Sequence, residues 1–420
     1  MNSTSEPKTV LATGIANLFP GYFALVMATG IVSIASFLLE AHAIAWGLLV
    51  INVVAYGVLW LLLIIRIWRY PAQIIKDMMS HSRSPGFFTI VAGTCVLGSQ
   101  LVIITQQYAV ATALWLLGLF LWMLITYAFF TTVTTVQAKP PIEVGLNGAW
   151  LISIVATQSV SVLATLLAGV NDSEQPILLF FALCMYLLGG MLYIPIITLI
   201  LYRFIFFPLV KENLTPPYWI NMGAVAITTL AGASLILNAE RWILLIELAP
   251  FLKGFTLFFW ATATWWIPLL LLLGVWRHLI QRLPFRYDPQ YWGMVFPLGM
   301  YTACTFQLSN ALDIDFLILI PRVFIFVAWG AWLIVFVSML RYGVQSFYSL
   351  AFILDEATIY VCRLASVHLP IPITSATMIS KPATTNVICI PVATSSGGAV
   401  AMSVVAAAKA HRPHNRCPGR

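Results

Sequence analysis

Gly21-Tyr22-Phe23-Ala24-Leu25-Val26-Met27-Ala28-Thr29-Gly30 decides the fold, because its pattern returns four more times along the chain. An aromatic pair, or Ala-Trp, opens an apolar stretch, and a small residue follows seven positions after the second member. The openings are Tyr22-Phe23, Phe87-Phe88, Ala149-Trp150, Tyr218-Trp219 and Tyr291-Trp292; the small residues are Gly30, Cys95, Thr157, Ala226 and Gly299. Copies lie 62 to 73 residues apart, which leaves room for one further helix in each interval. Five similar helices sharing a small-residue face can surround an axis, and the pattern raises the expectation of a pore.

The composition places these helices in a membrane. The chain is 61% hydrophobic and only 8% charged, with a mean hydropathy of +0.95, too apolar for a soluble globule. A spanning helix needs about 20 mostly apolar residues. Ten stretches qualify, near 16–39, 43–66, 87–106, 109–134, 147–169, 176–206, 219–238, 248–276, 291–312 and 316–340. Backbone polar groups cannot go unpaired in lipid, so the stretches are helices or a closed barrel. Their length and the absence of period-two alternation exclude the barrel. The fold class is therefore an all-α polytopic membrane protein, ten helices in five hairpin repeats around a central pore.

Charge sets the orientation. Connections after the even spans, with the two flanks, carry Lys8, Arg66, Arg69, Lys76, Arg83, Lys139, Arg203, Lys211, Arg277, Arg282, Arg286 and Arg341; the other side carries Arg241 and Lys253, with Arg322 just inside the tenth span. This asymmetry predicts that both ends of the ten-helix unit face the cytoplasm, in a plasma or bacterial inner membrane. The net charge of +7 is a topology signal and gives no case for nucleic acid. Nothing at the N-terminus has the form of a cleaved signal. Residues 1–15 form a cytoplasmic segment and 16–345 the pore domain. After Arg341 the composition turns to Ala, Thr, Ser, Val and Pro, so 346–420 is expected to be a poorly ordered tail. Glu240 to Lys253 is expected to form a short surface helix.

Chemistry-bearing residues are sparse. The cores of the odd spans hold no Asp, Glu, Lys, Arg or His, the residues that mark proton relays and embedded catalysis. No catalytic nucleophile–base pair is in prospect, so the chain is not expected to be an enzyme. The cysteines form no metal spacing, and His411 with His414 is a lone terminal pair, so neither a metal nor any other cofactor is expected. A neutral pore can still pass ions on backbone dipoles and hydroxyls. Beside the five small positions, Ser33, Gly98, Ser99, Ser161, Gly223, Thr229 and Thr302 lie three or four residues away on the same face. Small residues also permit close helix packing, and spacing alone does not choose between the two. The ninth span departs from the pattern. Phe296 stands on the small-residue face, where the other copies have Met27, Ala92, Ile154 and Gly223. Pro297 beside it removes a helix hydrogen bond. The pair reads as a pore gate or as ordinary packing.

Asn17-Leu-Phe-Pro-Gly-Tyr-Phe-Ala-Leu-Val-Met-Ala-Thr-Gly30, Tyr218-Trp-Ile-Asn-Met-Gly-Ala-Val-Ala-Ile227, Ala263-Thr-Trp-Trp-Ile-Pro268 and Tyr291-Trp-Gly-Met-Val-Phe-Pro-Leu-Gly299 together resemble the tellurite-resistance/dicarboxylate transporter family. That family includes bacterial tellurite resistance protein A, fungal malate and sulfite transporters and plant slow anion channels. The resemblance covers about residues 15–345. It implies odd helices lining the pore, even helices outside, a homotrimer with one pore per subunit, and occlusion by the Phe at position 296. It also implies small anions as cargo: C4-dicarboxylates, chloride, nitrate or sulfite. No pore Arg is in view to clamp two carboxylates, which favours a channel or low-affinity facilitator. A coupled carrier or an efflux pump for malate, sulfite or tellurite is the alternative, and a receptor or scaffold acting through its tail is a third reading.

Overall fold

The computed structural model describes residues 14–169, 175–210, 214–284, 286–367, 390–393 and 400–403, with side chains described as far as residue 343. Ten long helices follow one another: α1 Ala24–Leu38, α2 His42–Arg69, α3 Phe88–Thr105, α4 Tyr108–Thr135, α5 Ile152–Leu167, α6 Gln175–Phe206, α7 Ile220–Leu237, α8 Ile243–Val275, α9 Trp292–Leu312 and α10 Leu319–Val367. Among the described residues, nine of these can cross a membrane by length and composition. The tenth, α9, is less apolar because it carries Gln307, Ser309 and Asn310 among its 21 residues. Three of the hairpins turn through a non-glycine residue in the left-handed region: Glu40, Gln106 and Asp313.

The helices form two layers. The spans containing α1, α3, α5 and α7 are 83–94% buried, whereas those of α2, α4, α6, α8 and α10 are 22–44% buried. Each of α1, α3, α5, α7 and α9 packs on the next in order, and α9 packs on α1, so the inner layer is a closed ring. Every aromatic opening is a 3₁₀ turn feeding its helix: Pro20–Phe23, Ser84–Phe87, Gly148–Leu151, Pro216–Trp219 and Pro289–Tyr291. Proline at the first positions of four of them pre-sets φ and gives up no needed donor. The third opens instead on Asn147, whose side chain accepts from Ala149 N. These turns form a second closed ring, packed backbone on backbone. A Cβ on Gly86 would stand 2.8 Å from Gly21 N, and one on Gly148 would collide with the Pro217 carbonyl.

Outer helices lock the ring by reaching forward to the next hairpin. Tyr56 OH meets Thr94 Oγ1 at 3.0 Å, and Trp122 Nε1 donates to Thr157 Oγ1 at 2.9 Å. Tyr193 OH donates to Asn221 O at 3.4 Å, and Trp260 Nε1 to Thr305 Oγ1 at 3.0 Å. Trp332 Nε1 of α10 closes the circuit on Thr29 Oγ1 of α1 at 3.0 Å. Amphipathic aromatics suit this place, since the ring supplies apolar area and the N–H or O–H must find a partner away from water.

One expectation changes here. The segment read as a surface helix, Glu240 to Lys253, is the 3₁₀ turn Ala239–Arg241 followed directly by the first turns of α8. Leu245 and Leu252 are fully buried, so these turns are held to the bundle on one face, and α8 runs on through Pro250. Tyr193, Arg66 and Arg203, all in the cytoplasm-proximal half of outer spans by the charge count, are 3%, 1% and 5% exposed and turn inward.

Residues 346–420, grouped with 1–7, cluster apart from 8–345. Within that unit α10 continues to Val367, and β1 Ile390–Ala393 pairs antiparallel with β2 Val400–Ser403. His411, His414 and Lys8 lie outside the described residues.

Candidate functional site

Two cavities lie along the ring. The first, about 300 Å³, is surrounded by the five 3₁₀ turns and reaches inward to Phe296. At its upper level the inner helices present Ala24, Thr89, Ile152, Ile220 and Gly293. The second, about 30 Å³, begins at Ile31, Val96, Ser159, Ile227 and Met300. Each residue of the second set follows its counterpart by seven, two helical turns on the same face. The register then repeats as Ile34, Ser99, Val162 and Leu230, and as Leu38, Ile103, Leu166 and Ser234, with Gln307 from α9. One face of each inner helix thus follows a common axis.

Between the cavities, three residues after the first set and four before the second in each helix, the row is Met27, Ala92, Val155, Gly223 and Phe296. All are buried, and only Met27 and Phe296 of this row line the first cavity. In α5 the row falls on Val155 where the sequence pattern pointed to Ile154. The reason is that Ala149-Trp150 lies one residue early: its turn runs on to Leu151 before α5 starts. Phe296 has no exposed surface.

The small positions sit beside these rows, at the helix seams. One residue is about 100° of rotation on a helix, and Gly30, Cys95, Ala226 and Gly299 each precede a cavity residue by one. A Cβ on Gly30 would meet Val96 and Asn52, one on Gly98 Leu163, one on Gly299 Val32, and one on Gly223 Pro297. Cys95 Sγ packs over Gly118 of α4. Ser33 donates to Ala45 O and Ser161 to Ala182 O, both at 2.7 Å, tying each inner helix to its own outer partner. Thr157 receives the Trp122 indole, and Thr229 and Thr302 donate to their own helices at Val225 O and Leu298 O. Of the hydroxyl and glycine positions singled out from sequence, Ser99 lines a cavity.

Sequence reading missed the charge in the first cavity, where Arg83, Arg203 and Glu143 all contribute to the wall. Arg83 donates to Asp77 Oδ1 at 2.7 Å and lies over the Phe19 ring. Asp77 is shared with buried Arg66. Arg203 donates to Leu146 O at 2.8 Å and lies over the Tyr218 ring. Among the described residues it has no ion-pair partner, because the two salt bridges present both use Asp77. Its ten-residue spacing from Tyr193, echoed by Tyr56 and Arg66, was the available signal. At the edge of the turn ring His81 neighbours Trp150, whose indole donates to His81 O at 3.0 Å. Burial, and secondly Lys139, hold its pKa below the ordinary imidazole range.

Ten helices, an inner ring and an axial pair of cavities define a polytopic membrane transport protein. Residues 17–340 match the SLAC1 family, described as voltage-dependent anion channel, and the chain belongs to it. It is 24% identical over 303 residues to an uncharacterized transporter from Methanocaldococcus jannaschii, covering 69% of this chain and 84% of that protein. It is 37% identical over 151 residues to an uncharacterized membrane protein of Mycobacterium tuberculosis, covering 36% of this chain and 76% of that one. The family indicates anion transport across a membrane.

Proposed function

We propose that this protein passes small anions along the axis of its inner ring and that Phe296 closes the path. The observation that carries this reading is the first cavity: it holds Arg203 and Arg83 against the single carboxylate Glu143, with Arg203 in no salt bridge among the described residues, and stops at a fully buried Phe296. An arginine in a partly dehydrated mouth attracts anions and repels cations. Beyond it the axial rows carry only neutral side chains, which permits weak binding and rapid exit. A proton-coupled carrier needs a titratable group on the path, and no axial row supplies one.

The basic end of the ring is the cytoplasmic end on the positive-inside rule, so both termini of the ten-helix unit face the cytoplasm. Three copies assemble, each with its own axis, as the family resemblance implies. Chloride, nitrate, sulfite and C4-dicarboxylates such as malate are the cargo to be ranked, and tellurite resistance follows from permeation if it occurs. Reversal potentials for these anions, measured on purified protein in liposomes with and without Phe296→Ala, test the reading. Anion-selective current that rises in the variant is expected. Cation-selective current, or a variant as closed as the parent, refutes it.

A further inference from the structure

A third cavity, about 330 Å³, lies away from the axis, between the opening turn of α7, the last two turns of α8 and the start of α9. Its walls are Trp219, Leu271, Val275, Leu279 and Met294. Leu271, Val275 and Leu279 are 53%, 46% and 71% exposed, so the crevice opens sideways. Gly274 is on its wall, and a Cβ there would meet nothing within 4 Å.

One end of this apolar slot carries Arg277. Its Nε is buried without a hydrogen-bond partner, and among the described residues it makes no ion pair. It stands where α8 widens into the π-helical turn Trp276–Ile280, a distortion that recurs at functional sites. A buried guanidinium N–H costs free energy until an acceptor arrives, and the slot beside it accepts hydrocarbon. The position is at the basic end of the bundle, beside Arg282 and Arg286 in sequence.

We infer that this crevice binds one anionic phospholipid of the leaflet at the basic end, its phosphate on Arg277 and an acyl chain along Leu271, Gly274 and Val275. Charge complementarity selects the occupant: an apolar slot alone takes any lipid tail, whereas a guanidinium with an unmet donor prefers an anionic headgroup. Met294 lies two residues before Phe296, so the bound lipid packs on the first turn of the helix that carries the gate. The inference concerns binding and stands or falls independently of anion permeation.

Native mass spectrometry of the purified full chain, with phosphatidylglycerol and phosphatidylcholine of equal chain length as probes, tests it. The parent is expected to retain one phosphatidylglycerol about tenfold more than phosphatidylcholine, the scale of one charge-assisted contact. Arg277→Gln is expected to abolish the preference, and Gly274→Leu to abolish retention of both lipids by filling the slot. Equal preference in parent and Arg277→Gln overturns the proposal in favour of a diffuse basic surface. Competition by glycerol 3-phosphate as strong as by the lipid overturns it in favour of a free phosphate site. A changed oligomeric state in Gly274→Leu with lipid retention intact overturns it in favour of a second copy of the chain. An unchanged melting temperature for Arg277→Gln separates lost binding from lost fold.

Discussion

The ring of Pro297 occupies the space that a side chain on Gly223 would need: a Cβ there would stand 2.7 Å from Pro297 Cγ. Helices α7 and α9 are therefore in close contact beside Phe296. Gly223→Ala should push them apart or force the proline aside, and overpacking of this kind costs about 1–3 kcal/mol. A lower melting temperature together with altered anion flux is the expected outcome. A variant with parental stability and flux would show that this seam does not position Phe296.

Phe296→Ala removes a fully buried ring, and such truncations cost about 3–5 kcal/mol. Flux should nevertheless rise, because the ring separates two cavities on one axis. Phe296→Leu, which keeps most of the volume, should leave the path closed in the same liposome assay. Similar leak in both variants would point to loss of packing rather than of a gate.

Arg203→Gln should reduce anion current while preserving the fold, since Gln can still donate to Leu146 O. The loss should shrink in high salt, where the field of the mouth is screened within about 3 Å at 1 M. Current that is unchanged at low salt would remove Arg203 from the conduction path.

Asp77→Asn strands Arg66, whose side chain is 2% exposed and whose carboxylate partner is Asp77. Breaking one side of a buried pair costs about 3–5 kcal/mol, while replacing both sides is often neutral. Thermal unfolding should therefore show a large loss in Asp77→Asn that is largely recovered in Arg66→Met/Asp77→Asn.

His81 is depressed by burial and by Lys139, so the fold favours its neutral form. Its contribution to stability is present above the unfolded value of about 6.5 and is lost as pH falls through the lower folded value. Acidification through that window should add charge to the mouth and raise anion flux, an increase that His81→Gln should remove. A flux that is flat with pH in both proteins would detach His81 from the mouth.

The ten spans, their pairing and the five openings were legible because apolar length and aromatic punctuation are local properties of the chain. The axial face was harder to read. Gly30 and Ile31 are adjacent in sequence yet face a seam and the axis, and a shift of one residue, as at Ile154 and Val155, is enough to confuse them. Arg83 was visible only as a charge count and Arg203 only through its spacing from Tyr193, since neither signal distinguishes a cation turned inward from one at the lipid surface. Thr29 gave no signal, because its partner Trp332 is 303 residues away.

That last bond bears on how the protein is made. Residues separated by 303 positions leave a ribosome roughly 15–60 s apart at about 5–20 residues per second. Until α10 arrives, α9 can close the inner ring on α1, but Ser36 and Thr29 lack the indoles of Trp329 and Trp332. A chain interrupted before Trp332 has every residue of the axial rows and all five ring helices, but not the bond that ties the last hairpin back to the first. The outer fastening of the ring is thus the last part of the bundle to be made.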